Sequence, residues 1–276
     1  MDDTLFKKSI SKALGGGLSG SFAMVTQVTS LMWLRTSINY QYVNGTNFKT
    51  SLKLLLKEGG VFRLYRGYPL ALTMGPLSRF GDTATNLGVM EYTKDSNIPL
   101  SIKTGISSVF AGFWRICLMP IDSVKTNYQV NGEIKSLKLN VRKNGLIHLF
   151  NGTSAAFSTT LVGHYPWFFT YNYINELIPE NDKDSKVEKL LKRASCGLGA
   201  SIVSDTSSNS LKIVKTIKQT DRNSMSYLQI IKSLYKTDGY KWIFRGLKTK
   251  IMVNGLNSIV FSISWKYFQE KINYKL

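Results

Sequence analysis

Pro120-Ile121-Asp122-Ser123-Val124-Lys125-Thr126 decides how this 276-residue chain is read, because the stretch has two echoes. Ninety residues earlier stand Ser30, Arg35 and Thr36; ninety later stand Ser210, Lys215 and Thr216. Upstream the register continues without a gap, through Gly17, Ser107 and Gly197 and then Ser21, Ala111 and Ser201. A base followed by Thr, three times in register, marks an internal repeat, and a repeat constrains the fold more than any single motif. Small residues four apart let membrane helices approach closely, although alone they would mean no more than ordinary helix packing. A Pro or Ser deep in a helix can free or divert a backbone carbonyl, so kinks are expected at Ser30, Pro120 and Ser210.

A second element follows each stretch: GGVFRLYRG (59–67), NGLIHLFNG (144–152) and DGYKWIFRG (238–246). Each reads Gly, four residues, an aromatic, a polar residue and Gly. Around these elements charge is distributed unevenly. Residues 15–34, 144–175 and 251–265 carry no charge, while 67–90, 105–121 and 194–211 are interrupted only by Arg79 with Asp82, by Arg115, and by Asp205. These are six segments of the length a helix needs to cross a bilayer. They are rich in Gly, Ser, Thr and Asn, as expected of helices that turn one face to a watery path. A soluble α-helical protein is the plainer alternative on hydropathy alone.

The loops within the repeats, 35–66, 122–150 and 212–250, carry +5, +3 and +8, which is +16 of the total +19. The linkers 91–104 and 176–193 are neutral. Bias of this kind in short loops sets membrane orientation, with both termini opposite the basic side. Nucleic acid binding would also suit a pI near 9.8, but it calls for one basic patch and not three symmetric loops, so no nucleic acid partner is expected. Two cysteines, Cys117 and Cys196, and two histidines make neither a disulfide framework nor a metal cluster. The start, MDDTLFKKSISKALGGG, suits neither a secretory signal nor an Arg-rich presequence, so any organelle address is expected to be internal.

Pro120, Asp122 and Lys125 match Pro-x-Asp/Glu-x-x-Lys/Arg, and Asp238, Gly239, Phe244, Arg245 and Gly246 match Asp/Glu-Gly-x4-aromatic-Lys/Arg-Gly. In these residues the chain resembles the mitochondrial carrier family along nearly its whole length. The resemblance implies an all-α membrane protein of six transmembrane helices in three pseudo-threefold repeats, 1–95, 96–185 and 186–276, forming one integral bundle. Each repeat would carry a short surface helix in its matrix-side loop. It implies a monomeric transporter of the mitochondrial inner membrane in contact with lipid, cardiolipin included, with no cofactor. The Asn- and Lys-rich, degenerate sequence further resembles carriers encoded by giant viruses, which would make that membrane the host cell's.

Matrix-side closure in the family uses ion pairs between one repeat's base and the next repeat's acid. Here the candidate gate residues are Arg35, Asp122, Lys125, Lys212 and Lys215. Only Arg35 with Asp122 reads as a proper pair; Lys125 would face Lys212, and Lys215 would face Met32. Such erosion leaves room for a non-transporting scaffold or adaptor with the same fold.

Seven residues span two helical turns, so Asp122 and Arg115 share a face, as do Lys212 and Asp205, and Met32 and Val25. Arg115 and Asp205 are thus equivalent intramembrane charges, and such charges point to function by default. The plainer reading is that they pair with each other. The resemblance places the remaining substrate contacts at Ser78 and Arg79, at Thr159 and Thr160, and at Asn254 with Lys250 one turn nearer the matrix. His164 reads more simply as a packed histidine. Asp82, three residues on along the helix, is placed to satisfy Arg79 in part. Arg79, Arg115 and Lys250 against Asp205 and Asp82 favour a polyanion. The uncharged Thr159-Thr160 pair resembles the nucleotide branch, and the Arg-Arg-Arg run of ADP/ATP carriers is absent. The expected function is therefore exchange of nucleotides or deoxynucleotides by alternating access, with another anionic metabolite as the alternative. There is no nucleophile–base pair or phosphate-cradling Gly loop to suggest an enzyme.

Overall fold

The computed structural model describes the backbone of residues 3–93, 97–178, 185–223 and 225–273, and most side chains between residues 22 and 267. Among the described residues there are ten α-helices: α1 (Asp3–Asn44), α2 (Phe48–Leu64), α3 (Tyr68–Tyr92), α4 (Leu100–Cys117), α5 (Met119–Asn131), α6 (Lys135–Asn144), α7 (Thr153–Leu177), α8 (Lys186–Thr220), α9 (Tyr227–Asp238) and α10 (Leu247–Asn273). Short 3₁₀ turns, Leu146–Phe150 and Gly239–Phe244, precede α7 and α10. A long helix, a short helix in the basic loop and a second long helix thus follow one another three times.

The motif glycines explain the turns. Gly60, Gly145 and Gly239 have φ of +60°, +75° and +59°, a region that costs a side chain free energy. Gly67, Gly152 and Gly246 also have positive φ, and each backs onto the first long helix of another unit. A Cβ on Gly67 would lie 3.2 Å from the Lys125 carbonyl, and one on Gly152 would lie 3.3 Å from the Lys215 carbonyl. On Gly246 it would meet the Tyr42 ring at 2.9 Å.

The long helices close into a ring in the order α1, α3, α4–α5, α7, α8, α10 and back to α1. At the basic-loop end α1, α5 and α8 also touch one another, which narrows the ring to a plug. Only one of the expected kinks is a break. Pro120 sits in the first turn of α5, and the chain bends by 66° between α4 and α5 at Leu118. Helices α1 and α8 run without a break through Ser30 and Ser210. Serine keeps the N–H that proline lacks, so the hydrogen-bond ladder continues there.

Among the described residues no single helix is long and apolar enough to cross a membrane by itself, though the bent pair Ser101–Cys117 with Met119–Asn131 is when taken together. The composition explains this result: the polar positions of these helices line a central cavity and lower the average of each window. An all-α architecture is established, whereas six spans do not follow from helix apolarity.

Candidate functional site

The ring encloses a cavity of about 1560 Å³ to which every long helix contributes. Among the described residues its lining includes Arg35, Arg115, Lys125, Lys212, Lys215 and Lys250 but one acid, Asp122. Serine, threonine and glycine fill much of the α7–α8 wall, through Thr159, Thr160, Gly163, Ser201, Ser204 and Ser208.

The floor is built where α1, α5 and α8 meet. Asp122 is 4% exposed, and its Oδ1 accepts from Lys125 Nζ at 2.5 Å. Its Oδ2 lies 2.5 Å from Lys215 Nζ and accepts from Gln219 Nε2 at 3.1 Å. Asn39 of α1 donates to Gln129 Oε1 of α5 at 2.6 Å, and Asn127 of α5 donates to the Gln219 carbonyl of α8 at 2.8 Å. The α1–α8 contact is different in kind. Leu31, Leu34 and Ile38 pack there against Ile213, Val214 and Ile217, with Tyr42 Oη donating to Asn209 Oδ1 at 3.1 Å. Two seams of the plug are polar and the third is apolar.

This corrects the expected gate. Asp122 is held by Lys125 and Lys215, whereas Arg35 donates to Asn257 Oδ1 of α10 at 3.3 Å. Lys125 does not face Lys212, because Lys212 turns along its own helix to Asp205 at 2.7 Å. Lys215 does not face Met32, which is fully buried with Val28 and Ala71. Lys212 and Lys215, expected beside a like charge and an apolar side chain, each find a carboxylate within reach, since an unpaired charge in a low dielectric is costly.

Higher in the cavity, Arg115 and Asp205 are not brought together. Arg115 Nη2 donates to Asp82 Oδ2 of α3 at 2.8 Å. Asp205 is 5% exposed and accepts from Lys212 and from Asn254 Nδ2 of α10. Ser78, Thr159, Thr160, Asn254 and Lys250 all line the cavity, as does His164. The hydroxyls of Thr159 and Thr160 donate to the carbonyls of Ala155 and Ala156 one turn back, at 2.6 and 3.1 Å. The side chain of Arg79 lies outside the described residues. The sequence reading missed the partner of Asp82 and the whole role of Asn257. Asp82 was assigned to Arg79 by its i+3 spacing, and Asn257 carries no charge to draw attention to it. No group of three or more metal-ligating side chains occurs among the described residues.

A family model described as "Mitochondrial carrier protein" matches residues 99–182 and 186–276. The chain is 26% identical over 259 residues to a mitochondrial arginine transporter of Arabidopsis thaliana, covering 86% of each chain. It is 24% identical over 227 residues to a mitochondrial substrate carrier family protein of Dictyostelium discoideum, covering 70% of this chain and 52% of that one.

Proposed function

This chain belongs to the mitochondrial carrier family, whose members are transporters of the mitochondrial inner membrane and not enzymes, and from that premise we propose that it exchanges nucleotides or deoxynucleotides by alternating access. The observation that carries this reading is an excess of base at the cavity, where six lining bases stand against three carboxylates, Asp82, Asp122 and Asp205. Fixed cations in a low-dielectric site favour a solute with several negative charges, and phosphates accept charge-assisted hydrogen bonds from both Arg and Lys. In this reading Arg115, Arg79 and Lys250 hold the phosphates. Ser78, Thr159, Thr160 and Asn254 border the sugar and base, and Asp205 tunes the charge of the site. Arg35, Asp122, Lys125, Lys212 and Lys215 form the matrix-side floor. Three units, 1–95, 96–185 and 186–276, work as one monomeric bundle, with the basic loops against anionic lipid such as cardiolipin.

The Arabidopsis relative gives a second reading, transport of a cationic amino acid, with Asp205 or Asp82 as counter-charge. The engagement of both acids by Lys212 and Arg115 speaks against it. Proteoliposomes loaded with a panel of nucleotides, keto acids and amino acids decide the matter. Uptake of labelled nucleotide, driven by internal nucleotide and blind to arginine, is the expected result. Arginine exchange without nucleotide uptake would overturn it.

A further inference from the structure

Position 212 is unusual by this chain's own repeat. Its counterparts ninety residues apart are Met32 and Asp122, so a base stands where one equivalent position has an acid. Lys212 Nζ turns to Asp205 Oδ1, two turns away on the same face of α8, at 2.7 Å. The two partners are not equally placed. Lys212 is in the cavity lining and its side chain is 23% exposed, whereas the Asp205 side chain is 7% exposed and lies behind the lining. The other oxygen of Asp205 accepts from Asn254 of α10. Lys250, one turn before Asn254, also lines the cavity, and among the described residues no carboxylate lies within ion-pair distance of it.

We propose that Asp205 is a tethered counter-ion that occupies Lys212 in the unloaded protein, and that the incoming anion displaces it to bind between Lys212 and Lys250. The inference rests on the reading that the solute is anionic, and it adds Lys212, at the top of the floor, to the bases that hold the phosphates. Three features fit together in it. A base left bare in an empty cavity is costly, and an internal acid lowers that cost until substrate arrives. A lysine head on a flexible four-carbon stem can leave one partner for another, which a forked arginine does less readily. Asp205 is not stranded when Lys212 leaves, because Asn254 remains its donor. Asp205 therefore acts on the solute through Lys212 and is a positioning residue, not a contact.

The test uses the purified full chain in detergent, with inorganic tripolyphosphate as the probe and the rise in thermal stability as the measure of binding. Lys212→Gln is expected to weaken tripolyphosphate binding about ten- to a hundredfold, the scale of one lost charge-assisted hydrogen bond. Asp205→Asn removes the competitor and should tighten binding by about tenfold, the scale of a modest change in free energy. Asp205→Asn combined with Lys212→Gln should bind like Lys212→Gln alone, because Asp205 has nothing left to compete for. Weaker binding by Asp205→Asn, a double variant unlike Lys212→Gln, or no binding by the wild type would overturn the proposal. If Asp205→Asn cannot be purified, Asp205→Ser carries the same test, and unchanged or weaker tripolyphosphate binding in it is equally fatal. Failure of the nucleotide reading is seen separately, as tripolyphosphate binding without nucleotide uptake into liposomes.

Discussion

Lys215 reaches from α8 to grip Asp122 of α5 at 2.5 Å, and this ion pair ties together two of the three helices that close the cavity floor. Asp122 is nearly inaccessible, so removing one partner leaves a buried carboxylate with less compensation, a change worth about 3–5 kcal/mol. Lys215→Met is therefore expected to destabilise the protein strongly, and Asp122→Asn added to it should recover part of the loss. A double-mutant cycle separates this arrangement from the pairing first expected. Coupling between Lys215 and Asp122 should exceed that between Arg35 and Asp122, measured by thermal unfolding in detergent. The reverse order would mean that Arg35 is the true partner.

Repetition in the sequence shows the course of the chain because a ninety-residue period survives substitution at most of its positions. The glycines of the second element recur too, although not at ninety-residue spacing, because Gly60, Gly145 and Gly239 each need a left-handed backbone that few residues tolerate. The ion pairs were not legible. Pairing Arg35 with Asp122 assumed a symmetric floor, whereas the apolar seam of Leu34 and Ile38 with Ile213 and Val214 makes one of its three sides different. Spacing along one helix placed Asp82 near Arg79, but packing between α3 and α4 gave it to Arg115. Such choices depend on helix-to-helix distance, which a linear pattern does not contain.

Arg63 is buried at 2% exposure beneath the end of α5 and donates to the carbonyls of Gln129 and Val130 at 2.9 and 2.7 Å, while its Nε binds Glu58. Carbonyls at a helix C-terminus have no partner within the helix and favour a cation. Arg245 does the same for Tyr42 and Val43 of α1. A lysine has three donors, but all on one nitrogen, and they do not span acceptors that Arg63 meets with Nε, Nη1 and Nη2 separately. Arg63→Lys should cost about 2–3 kcal/mol through acceptors left unmade, and Arg63→Ala more. Thermal unfolding checks this, and an unaltered midpoint would show the cap to be unimportant.

His148 occupies the motif position equivalent to Arg63 in the second unit and is 6% exposed. Burial pushes its imidazole below the ordinary value of 6.5, and Lys218 pushes in the same direction, with Asp221 partly opposing. The folded state thus binds a proton less readily than the unfolded chain. Its contribution to stability is full above about pH 6.5, the unfolded value, and is lost as pH falls toward the lower folded value. Between pH 7.5 and 5.5 the wild type should lose more thermal stability than His148→Gln. Parallel losses in the two proteins would mean that another group governs the acid limb.

The +16 carried by the three basic loops against neutral linkers predicts that all three loops face one compartment. Single cysteines at Asn47, Lys138 and Lys236 test one side, and cysteines at Asn97 and Ser185 test the other; all five positions are exposed. A membrane-impermeant thiol reagent should label the first three together from one face and the last two from the opposite face. A mixed result within either set would contradict six spans with this arrangement.

Arg115 gives the sharpest test of the solute's charge, and its pairing with Asp82 changes how that test is built. Its side chain is 28% exposed in the cavity wall, so one face of the guanidinium remains open to a solute while Nη2 holds Asp82. Asp82 Oδ1 has no hydrogen-bond partner among the described residues, so this carboxylate depends on Arg115 for its compensation. Arg115→Ala alone removes a phosphate ligand and strands a carboxylate, and it confuses the two effects. Combined with Asp82→Asn, the stranded charge is gone and only the missing ligand remains. If Arg115 binds phosphate, the double variant should regain thermal stability yet take up triphosphates about ten- to a hundredfold less well than the wild type, the worth of one charge-assisted hydrogen bond. Monophosphates, with fewer negative oxygens to satisfy, should lose less. Full triphosphate uptake by the stable double variant would show that Arg115 serves only to hold α4 against α3.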